Sequence, residues 1–205
     1  MSQRLGLALC LVVVCVFIGC ASLNGTVPFQ YQPSLVASSK TIDKTVGINM
    51  LADKRPEGDV SYTKSIKDIP EKITSKFIED LEKSKIFKEV HFPAQQTDDI
   101  VIDGSIDRFM WKLYASPISY IPFLNLVIYF GVPCNEAYGI TGISLEVKDN
   151  KSGAIIGKLA EESKITETYT IYNMKAGEAG AELAESFRDV SKKLKEDMLT
   201  KVNIN

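Results

Sequence analysis

The sequence predicts an α+β fold, namely a mostly antiparallel sheet with two amphipathic helices packed on one face. Segments 46–50, 100–106 and 143–148 alternate apolar and polar residues with a period of two, which is typical of half-buried strands. Segments 66–81 and 183–198 repeat apolar residues every three or four positions, which is typical of helices with one buried face. The order strand, helix, several strands and helix favours two helices that cover one side of a sheet.

A polar loop is predicted between the first strand and the first helix. Residues 53–59 are charged or turn-forming and show no apolar period. Within this loop, Asp53 and Arg55 can pair with each other across a turn or can bind a partner. We interpret them as a structural pair.

The first helix has clear start signals. Asp68 is an N-cap residue, Glu71 stands three positions later, and Pro70 lies in the first turn, where a missing N–H is tolerated. A short strand, residues 89–92, is predicted after the helix. The apolar stripe of the helix consists of Ile69, Ile73, Phe77 and Leu81.

A hairpin and a long helix complete the predicted domain. Residues 149–153 read Asp-Asn-Lys-Ser-Gly, a turn that joins the strand at 143–148 to a return strand from Ile155 to about Tyr169. So short a connection makes these strands antiparallel neighbours. The last helix is predicted at about 178–201. Its apolar stripe consists of Leu183, Phe187, Val190, Leu194 and Met198.

Composition and charge exclude several classes of function. The chain has 205 residues, of which 45% are hydrophobic and 24% charged, as in folded proteins. Its 24 Lys and Arg against 26 Asp and Glu leave no basic excess, so we expect no nucleic-acid partner. No glycine-rich phosphate loop, nucleophile elbow, Cys-x-x-Cys or His-Glu-x-x-His motif occurs in the sequence. We therefore expect no cofactor and no metal.

The N-terminus has the pattern of a secretion signal. Arg4 precedes an apolar run at 5–18, which is too short for a transmembrane span of about 20 residues. The run ends in Phe17-Ile18-Gly19-Cys20, which resembles the lipobox of bacterial lipoproteins, with Phe17 where Leu is usual. The alternative is an ordinary signal peptide, or an uncleaved anchor, that happens to end in Cys.

The lipobox resemblance implies a lipid anchor on Cys20. In lipoproteins of this type the thiol receives a diacylglycerol and the freed amine is usually acylated. Each buried CH₂ contributes about 0.8 kcal/mol, so two or three chains hold a protein firmly on a membrane. Ala21, where Asp would favour retention at the inner membrane, implies the periplasmic face of the outer membrane.

These assignments divide the chain into three parts. Residues 1–19 are predicted to be the signal peptide, 20–43 the lipidated N-terminus with a polar tether, and 44–202 a single α+β domain. Cys10 and Cys15 would leave with the signal. Only Cys134 would then accompany the acylated Cys20, so no disulfide is expected within the domain.

The order of elements also resembles a family of envelope proteins. The resemblance covers most of residues 44–200 and lies in four short motifs, namely Asp53-Lys54-Arg55, 86–90, 98–104 and the turn at 149–153. It points to YajG-type small envelope lipoproteins and, more distantly, to the sandwich domain of the curli-secretion and Pel lipoproteins. It implies a non-enzymatic role in envelope assembly or secretion, and either a homo-oligomer or an envelope protein partner.

Few side chains could carry chemistry. His91 is the only histidine, and we interpret it as an edge-strand histidine, while Cys134 is interpreted as a small buried residue. The aspartates Asp98, Asp99, Asp103 and Asp107 are interpreted as a solvated strand face. Residues 99 and 107 are about 26 Å apart at about 3.3 Å per strand residue, too far for one metal. A hydrolase, our second alternative, would need a cleft that brings His91 or an aspartate next to a nucleophile.

An apolar segment without a charged residue, 117–133, is the most unusual feature of the mature chain. It can cover the core, form an exposed patch for oligomer or partner contact, or dip into the membrane surface. A large cavity beneath it would favour our first alternative function, a binding module for an envelope lipid, glycan or peptide. The residues that would make a partner or membrane contact are Tyr120, Phe123, Leu124, Leu126, Ile128, Tyr129 and Phe130.

Overall fold

A mixed β-sheet with helices on one face confirms the α+β class. The computed structural model describes residues 29–33, 40–63, 66–121, 123–173 and 180–202. In these ranges the strands are β1 (Ile42–Ile48), β2 (Ala52–Asp53), β3 (Phe87–His91), β4 (Ile100–Ala115), β5 (Asn135–Asp149) and β6 (Ile155–Tyr169). The α-helices of the same ranges are α1 (Glu57–Tyr62), α2 (Ile69–Ser84) and α3 (Ala181–Lys201).

The sheet is less antiparallel than the sequence predicts. Its strand order is β3-β1-β4-β5-β6, and β2 continues the line of β1 along β4. β5 is antiparallel to β4 and β6, whereas β1 is parallel to both β3 and β4. β3 is parallel to β1 because α1 and α2 carry the chain back from the end of β1 to the start of β3. β4 is parallel to β1 because it begins at the level of β1 where β3 ends, since Val46 pairs with both Val90 and Ile100. Alternation of apolar and polar residues predicts where a strand lies, but not whether it runs parallel or antiparallel to its neighbours.

The three C-terminal strands are long and define two ends of the molecule. β4 covers 15 residue steps from Ile100 to Ala115, which is about 50 Å at about 3.3 Å per step. At one end Ile100 pairs with Asp149 beside the predicted hairpin turn, where Gly153 has a φ of 71°. At the other end Ala115 pairs with Asn135. The chain between this last pair is therefore placed beyond the end of the sheet.

The core lies between the sheet and the two long helices, as predicted. Both helices contribute fully buried side chains to the same hydrophobic cluster as the strands. The helices also touch each other, because the buried Asp80 carboxylate of α2 accepts hydrogen bonds from Ser191 and Lys195 of α3. Members of the cluster include Ile48, Ile73, Phe77, Leu81, Ile102, Ile143, Leu145, Leu183, Phe187 and Leu194.

One local prediction is wrong, and another is confirmed in position only. Part of the predicted loop at 53–59 is helical, since α1 begins at Glu57 after Pro56, and its Asp59 is buried and paired with Arg108 at 2.7 Å. Asp68 does precede α2, but its φ of 54° is in the left-handed region and its side chain makes no capping hydrogen bond. Capping side chains normally require an extended backbone at that position.

The predicted tether, residues 20–43, is wrong in part, because its middle packs on the core and its last residues, from Ile42 on, belong to β1. Tyr31 is 3% exposed, and its ring meets Phe187 at 4.7 Å between centroids. Phe29 meets Phe109 at 5.2 Å and Phe187 at 5.7 Å. These edge-to-face contacts hold the chain near α3 and the middle of β4. The signal peptide, the lipobox and Cys20 lie outside the described residues.

None of the helices in the described part of the chain combines the length and the apolar character that a membrane span requires.

Candidate functional site

The candidate site is the apolar segment beyond the sheet, residues 117–133, which we name the apolar tip. It contains two 3₁₀ helices, Pro117–Tyr120 and Leu124–Phe130, which pack mainly against each other. Its two ends are tied together, because the Ser116 N–H donates to the Cys134 carbonyl at 2.7 Å. Cys134 is buried, as predicted, and its N–H donates to the Tyr169 carbonyl at the end of β6. The tip is thus attached to the ends of all three long strands.

Exposure excludes one of the three interpretations of this segment. No described side chain of the apolar tip is buried, and Phe123 and Phe130 are 85% and 87% exposed. The prediction that the segment covers the core is therefore wrong, because α2 and α3 already cover the apolar face of the sheet. Ile128 is half-buried. The other large side chains that are exposed here are Ile121, Leu124, Leu126 and Tyr129.

Phe123, one of the exposed aromatic residues of the tip, has an unusual backbone conformation. Phe123 has a φ of 66°, in a region that bulky residues rarely adopt. Such residues typically cost about 1–3 kcal/mol and concentrate at functional sites. Gly131, which closes the second 3₁₀ helix with a φ of 85°, has no side chain to strain. The tip therefore combines a strained aromatic residue with nearly full exposure of its ring.

Two tyrosines and two lysines lie together on the strands β4, β5 and β6 next to the apolar tip. The rings of Tyr114 and Tyr138 stack at 5.4 Å between centroids, with their hydroxyls 2.9 Å apart. The Lys112 ammonium lies 4.1 Å from the Tyr114 ring centroid, and the Lys164 ammonium lies 4.6 Å from that of Tyr138. The hydrogen bond with Lys112, followed by that with Tyr138, lowers the pKa of Tyr114. We name these four residues the tyrosine–lysine rim.

A second tyrosine contact joins the tip to the chain after β6. The Tyr172 hydroxyl donates to the Tyr129 carbonyl at 2.5 Å, although the Tyr172 side chain is 69% exposed. Residues 116–134 contain no charge, and the nearest acidic residues on the adjoining strands are Glu136 and Glu167. Since these two carboxylates balance the two lysines of the rim, the region has little net charge.

His91 lies at the other end of the sheet. It ends the edge strand β3, as predicted, and its Nδ1 is 2.5 Å from the Asp98 carboxylate. Asp98 also accepts the Gln95 N–H at 2.6 Å, and Glu89 lies 3.6 Å from the histidine Nε2. The hydrogen bond with Asp98 raises the pKa of His91. In the described part of the chain this ring contacts carboxylates rather than a hydroxyl or thiol nucleophile.

The four aspartates at positions 98, 99, 103 and 107 do not form the predicted solvated face. Asp98 is buried, and the other three are partly buried and separately paired. Asp99 accepts the Thr45 N–H at 3.1 Å, Asp103 accepts from Asn49 and Lys148, and Asp107 accepts from Ser105 and Ser144. Within the described ranges no three metal-ligating side chains come together.

The sequence analysis also missed one buried acidic residue on each of the two long helices, α2 and α3. Glu182 in the first turn of α3 accepts hydrogen bonds from Trp111 Nε1, at 2.8 Å, and from the Tyr169 hydroxyl. Asp80 pairs with Lys195 at 2.8 Å. The sequence does contain a signal for their burial, because each acid directly precedes a leucine of an apolar stripe, Leu81 or Leu183. By contrast, Asp53 and Arg55 form the predicted pair, at 2.7 Å.

A surface groove of about 440 Å³ lies along β3, far from the apolar tip, and is lined by Thr41, Lys85, Phe87 and Val90 among others. This groove does not provide the cavity under residues 117–133 that a ligand-binding module was expected to have.

Comparisons with known proteins found similar structures at low sequence identity. No family model and no curated protein matches the chain. A Xanthomonas campestris protein described by the family model DUF330 is 7% identical, with a TM-score of 0.47 over 82% of this chain and 90% of that one. The PelC dodecamer of Paraburkholderia phytofirmans is 12% identical, with a TM-score of 0.40 over 77% and 92%. The uncharacterized lipoprotein B of Nitrosomonas europaea is 14% identical, with a TM-score of 0.43 over 85% and 93%.

Proposed function

We propose that the protein is a lipid-anchored lipoprotein on the periplasmic face of the bacterial outer membrane. In this proposal it is a non-enzymatic accessory or structural component of envelope assembly or secretion, of the YajG type. The observation that carries the proposal is the exposed apolar tip, with Phe123 and Phe130 almost fully accessible. Contiguous apolar patches on a folded domain mark contact with a membrane or with another protein.

The anchor is supported by the N-terminal sequence. Phe17-Ile18-Gly19-Cys20 provides the acylation motif, and Ala21 favours the outer membrane. Because Phe29 and Tyr31 pack on the core, the tether in this proposal is no longer than the nine residue steps from Cys20 to Phe29. A lipid on Cys20 would therefore hold the domain close to the membrane.

A structural role is favoured over hydrolysis by the contacts of the candidate catalytic residues. His91 is held between Asp98 and Glu89, Asp99 accepts a hydrogen bond from Thr45 of β1, and Asp103 accepts one from Lys148 of β5. These contacts join strands and loops to one another, and they lie at the end of the sheet opposite to the apolar tip.

Fractionation of bacterial cells tests the anchor. We expect the wild-type protein in the outer-membrane fraction, and Cys20→Ala either unprocessed or soluble. Cys134→Ala is the matched control, because Cys134 would be the other cysteine of the mature chain, and it should fractionate as the wild type does. Normal processing and membrane recovery of Cys20→Ala would overturn the lipoprotein assignment.

A pull-down of the membrane-anchored protein with mass spectrometry, together with its native mass, tests the accessory role. We expect either a homo-oligomer or a reproducible envelope protein partner. A monomer without a partner would contradict a role in envelope assembly, and only the lipid-anchor part of the proposal would then remain.

A further inference from the structure

We propose that the apolar tip inserts into the lipid surface on which Cys20 is anchored, so that the domain stands with the ends of β4, β5 and β6 facing the membrane. The inference rests on the proposed lipid anchor and adds the orientation of the domain and the lipid-contacting surface.

The first argument is the chemistry of the exposed side chains. Phe123 and Phe130 project with 85% and 87% of their surface accessible, and Leu124 and Leu126 are each 47% exposed. No charged residue lies between 116 and 134 to oppose entry into an apolar medium. Amphipathic helices that bind at a membrane surface bury their apolar side chains about 5–10 Å into the boundary between headgroups and acyl chains, and we expect a similar depth for the tip.

The second argument is the reach of the tether. Nine residue steps separate Cys20 from Phe29, so these residues are at most about 32 Å apart, even in an extended chain. Phe29 packs on Phe109, which lies six strand steps, or about 20 Å, from Ala115 at the base of the tip. The opposite end of β4 is about 30 Å away, and the hairpin turn lies beyond it. The extended tether is therefore longer than the distance from Phe109 to the base of the tip, whereas it is barely as long as the distance from Phe109 to the opposite end of β4.

The third argument is the tyrosine–lysine rim. Tyrosines favour the interface between headgroups and acyl chains, and lysines can extend an ammonium from there into the headgroups. Tyr114, one residue before the end of β4, and Tyr138, with Lys112 and Lys164 over their rings, lie on the strands that carry the tip. Because Glu136 and Glu167 balance the lysines, insertion should depend little on anionic lipid or on salt.

The anchor also favours lipid over a second copy of the chain as the occupant of the tip. A tether of at most about 32 Å keeps the tip near the bilayer. The effective concentration of lipid at the tip is therefore high and does not depend on the protein concentration. The tip itself offers no charged side chain that could specify a protein partner.

Fluorescence quenching in vesicles tests the inference. The protein is purified from membranes and reconstituted in phosphatidylcholine vesicles with or without brominated acyl chains. The variant Phe123→Trp reports on the tip, and Ile155→Trp, at the hairpin end and 48% exposed in the parent, is the matched control. The native Trp111 is buried and contributes the same background to both. We expect brominated chains to quench Phe123→Trp about twofold and Ile155→Trp hardly at all, since only the former would lie at acyl-chain depth.

A second pair of variants tests the apolar character. Adding Phe130→Asp to Phe123→Trp should reduce the quenching, whereas adding Met50→Asp, at an exposed residue remote from the tip, should not. The inference is overturned if Phe123→Trp is quenched no more than Ile155→Trp. It is also overturned if the tip tryptophan is shielded from water but not quenched and the native mass shows an oligomer, because a protein would then occupy the tip. The mass of the N-terminal peptide reports acylation of Cys20 separately, so failure of the anchor and failure of tip insertion are distinguishable.

Discussion

Gly139 shows how one residue of β5 determines the position of a whole helix. A β-carbon at Gly139 would lie 2.3 Å from the Leu183 nitrogen and 2.5 Å from its Cα, in the first turn of α3. Both are backbone atoms, so the clash cannot be relieved by rotating a side chain. The first turn of α3 can approach the sheet this closely only because residue 139 is glycine.

Gly139→Ala should therefore destabilise the domain by about 3 kcal/mol, at the upper end of the range for overpacking. For a domain of this size that lowers the thermal midpoint by about 6–12 °C. Gly58→Ala is the control, because a β-carbon there meets nothing within 4 Å and alanine favours helix α1. Equal midpoints for the two variants would contradict the close approach of α3.

His91 should titrate above the ordinary range of histidine. Its pKa is raised by the hydrogen bond with Asp98, and Asp98→Asn should bring the pKa back toward about 6.5. Because the folded-state pKa exceeds the unfolded one, this pair stabilises the fold below about pH 6.5 and the contribution is lost as pH rises through the raised pKa. His91 is the only histidine, so a single set of ring resonances in an NMR titration measures it. A wild-type pKa at or below that of Asp98→Asn would refute the assignment.

Tyr31 connects the N-terminal segment to the domain. Its ring is buried against Phe187, and burial together with the nearby Asp80 carboxylate raises the pKa of its hydroxyl. Tyr31→Ala should destabilise the domain by about 3–5 kcal/mol, the usual loss for a buried aromatic side chain. Tyr172→Ala removes a tyrosine that is 69% exposed and should change stability by less than about 1 kcal/mol. Chemical denaturation of both variants measures the difference, and similar losses would show that residues 29–33 do not pack on the core.

At the scale of elements, regular patterns were predictable from the sequence and irregular ones were not. The hairpin at 149–153 and the helices α2 and α3 follow from alternation, turn residues and apolar stripes. The first half of β5 was missed because Gly139 and Gly142 interrupt the alternation, and the reason for Gly139 lies in a helix more than 40 residues away. The parallel pairing of β1 depends on a crossover that a local pattern does not show.

The apolar tip was found from the sequence, but its exposure was not. A run of apolar residues between prolines is equally compatible with core and surface. Only the fold shows that α2 and α3 already cover the sheet and that residues 117–133 extend past its end. The composition of the sequence identified the element. Its position could not be predicted, because it depends on which elements cover the apolar face of the sheet.

A charge in the apolar tip should leave the fold intact. Leu126→Asp places a carboxylate on a side chain that is 47% exposed in the parent, so the free energy of unfolding should change by less than about 0.5 kcal/mol and the thermal midpoint by about 2 °C at most. Ile143→Asp, at a fully buried residue of β5, should prevent folding because it would bury an unpaired charge. Circular dichroism melts compare the two variants, and unfolding of Leu126→Asp would restore the core-covering interpretation.

At the scale of the whole molecule, the sequence and the fold place two apolar features within reach of the same membrane. Acyl chains on Cys20 would provide the affinity for the membrane, and the tip would set the orientation of the domain. The base of the tip lies about 20 Å along β4 from Phe109, the residue that Phe29 contacts. The hairpin end, with His91 and Asp98, would then face away from the bilayer. In this arrangement the ion pairs of Lys148 with Asp103 and of Lys158 with Glu146 lie on the half of the domain that points into the periplasm.

The mass of the N-terminal peptide of the protein extracted from bacterial membranes tests the central claim most directly. A lipid-anchored lipoprotein predicts a chain that begins at Cys20 and carries a diacylglycerol on the thiol, with a further acyl chain on the amine where that step occurs. A chain that begins at Cys20 or elsewhere without lipid, or that still retains residues 1–19, would contradict the account.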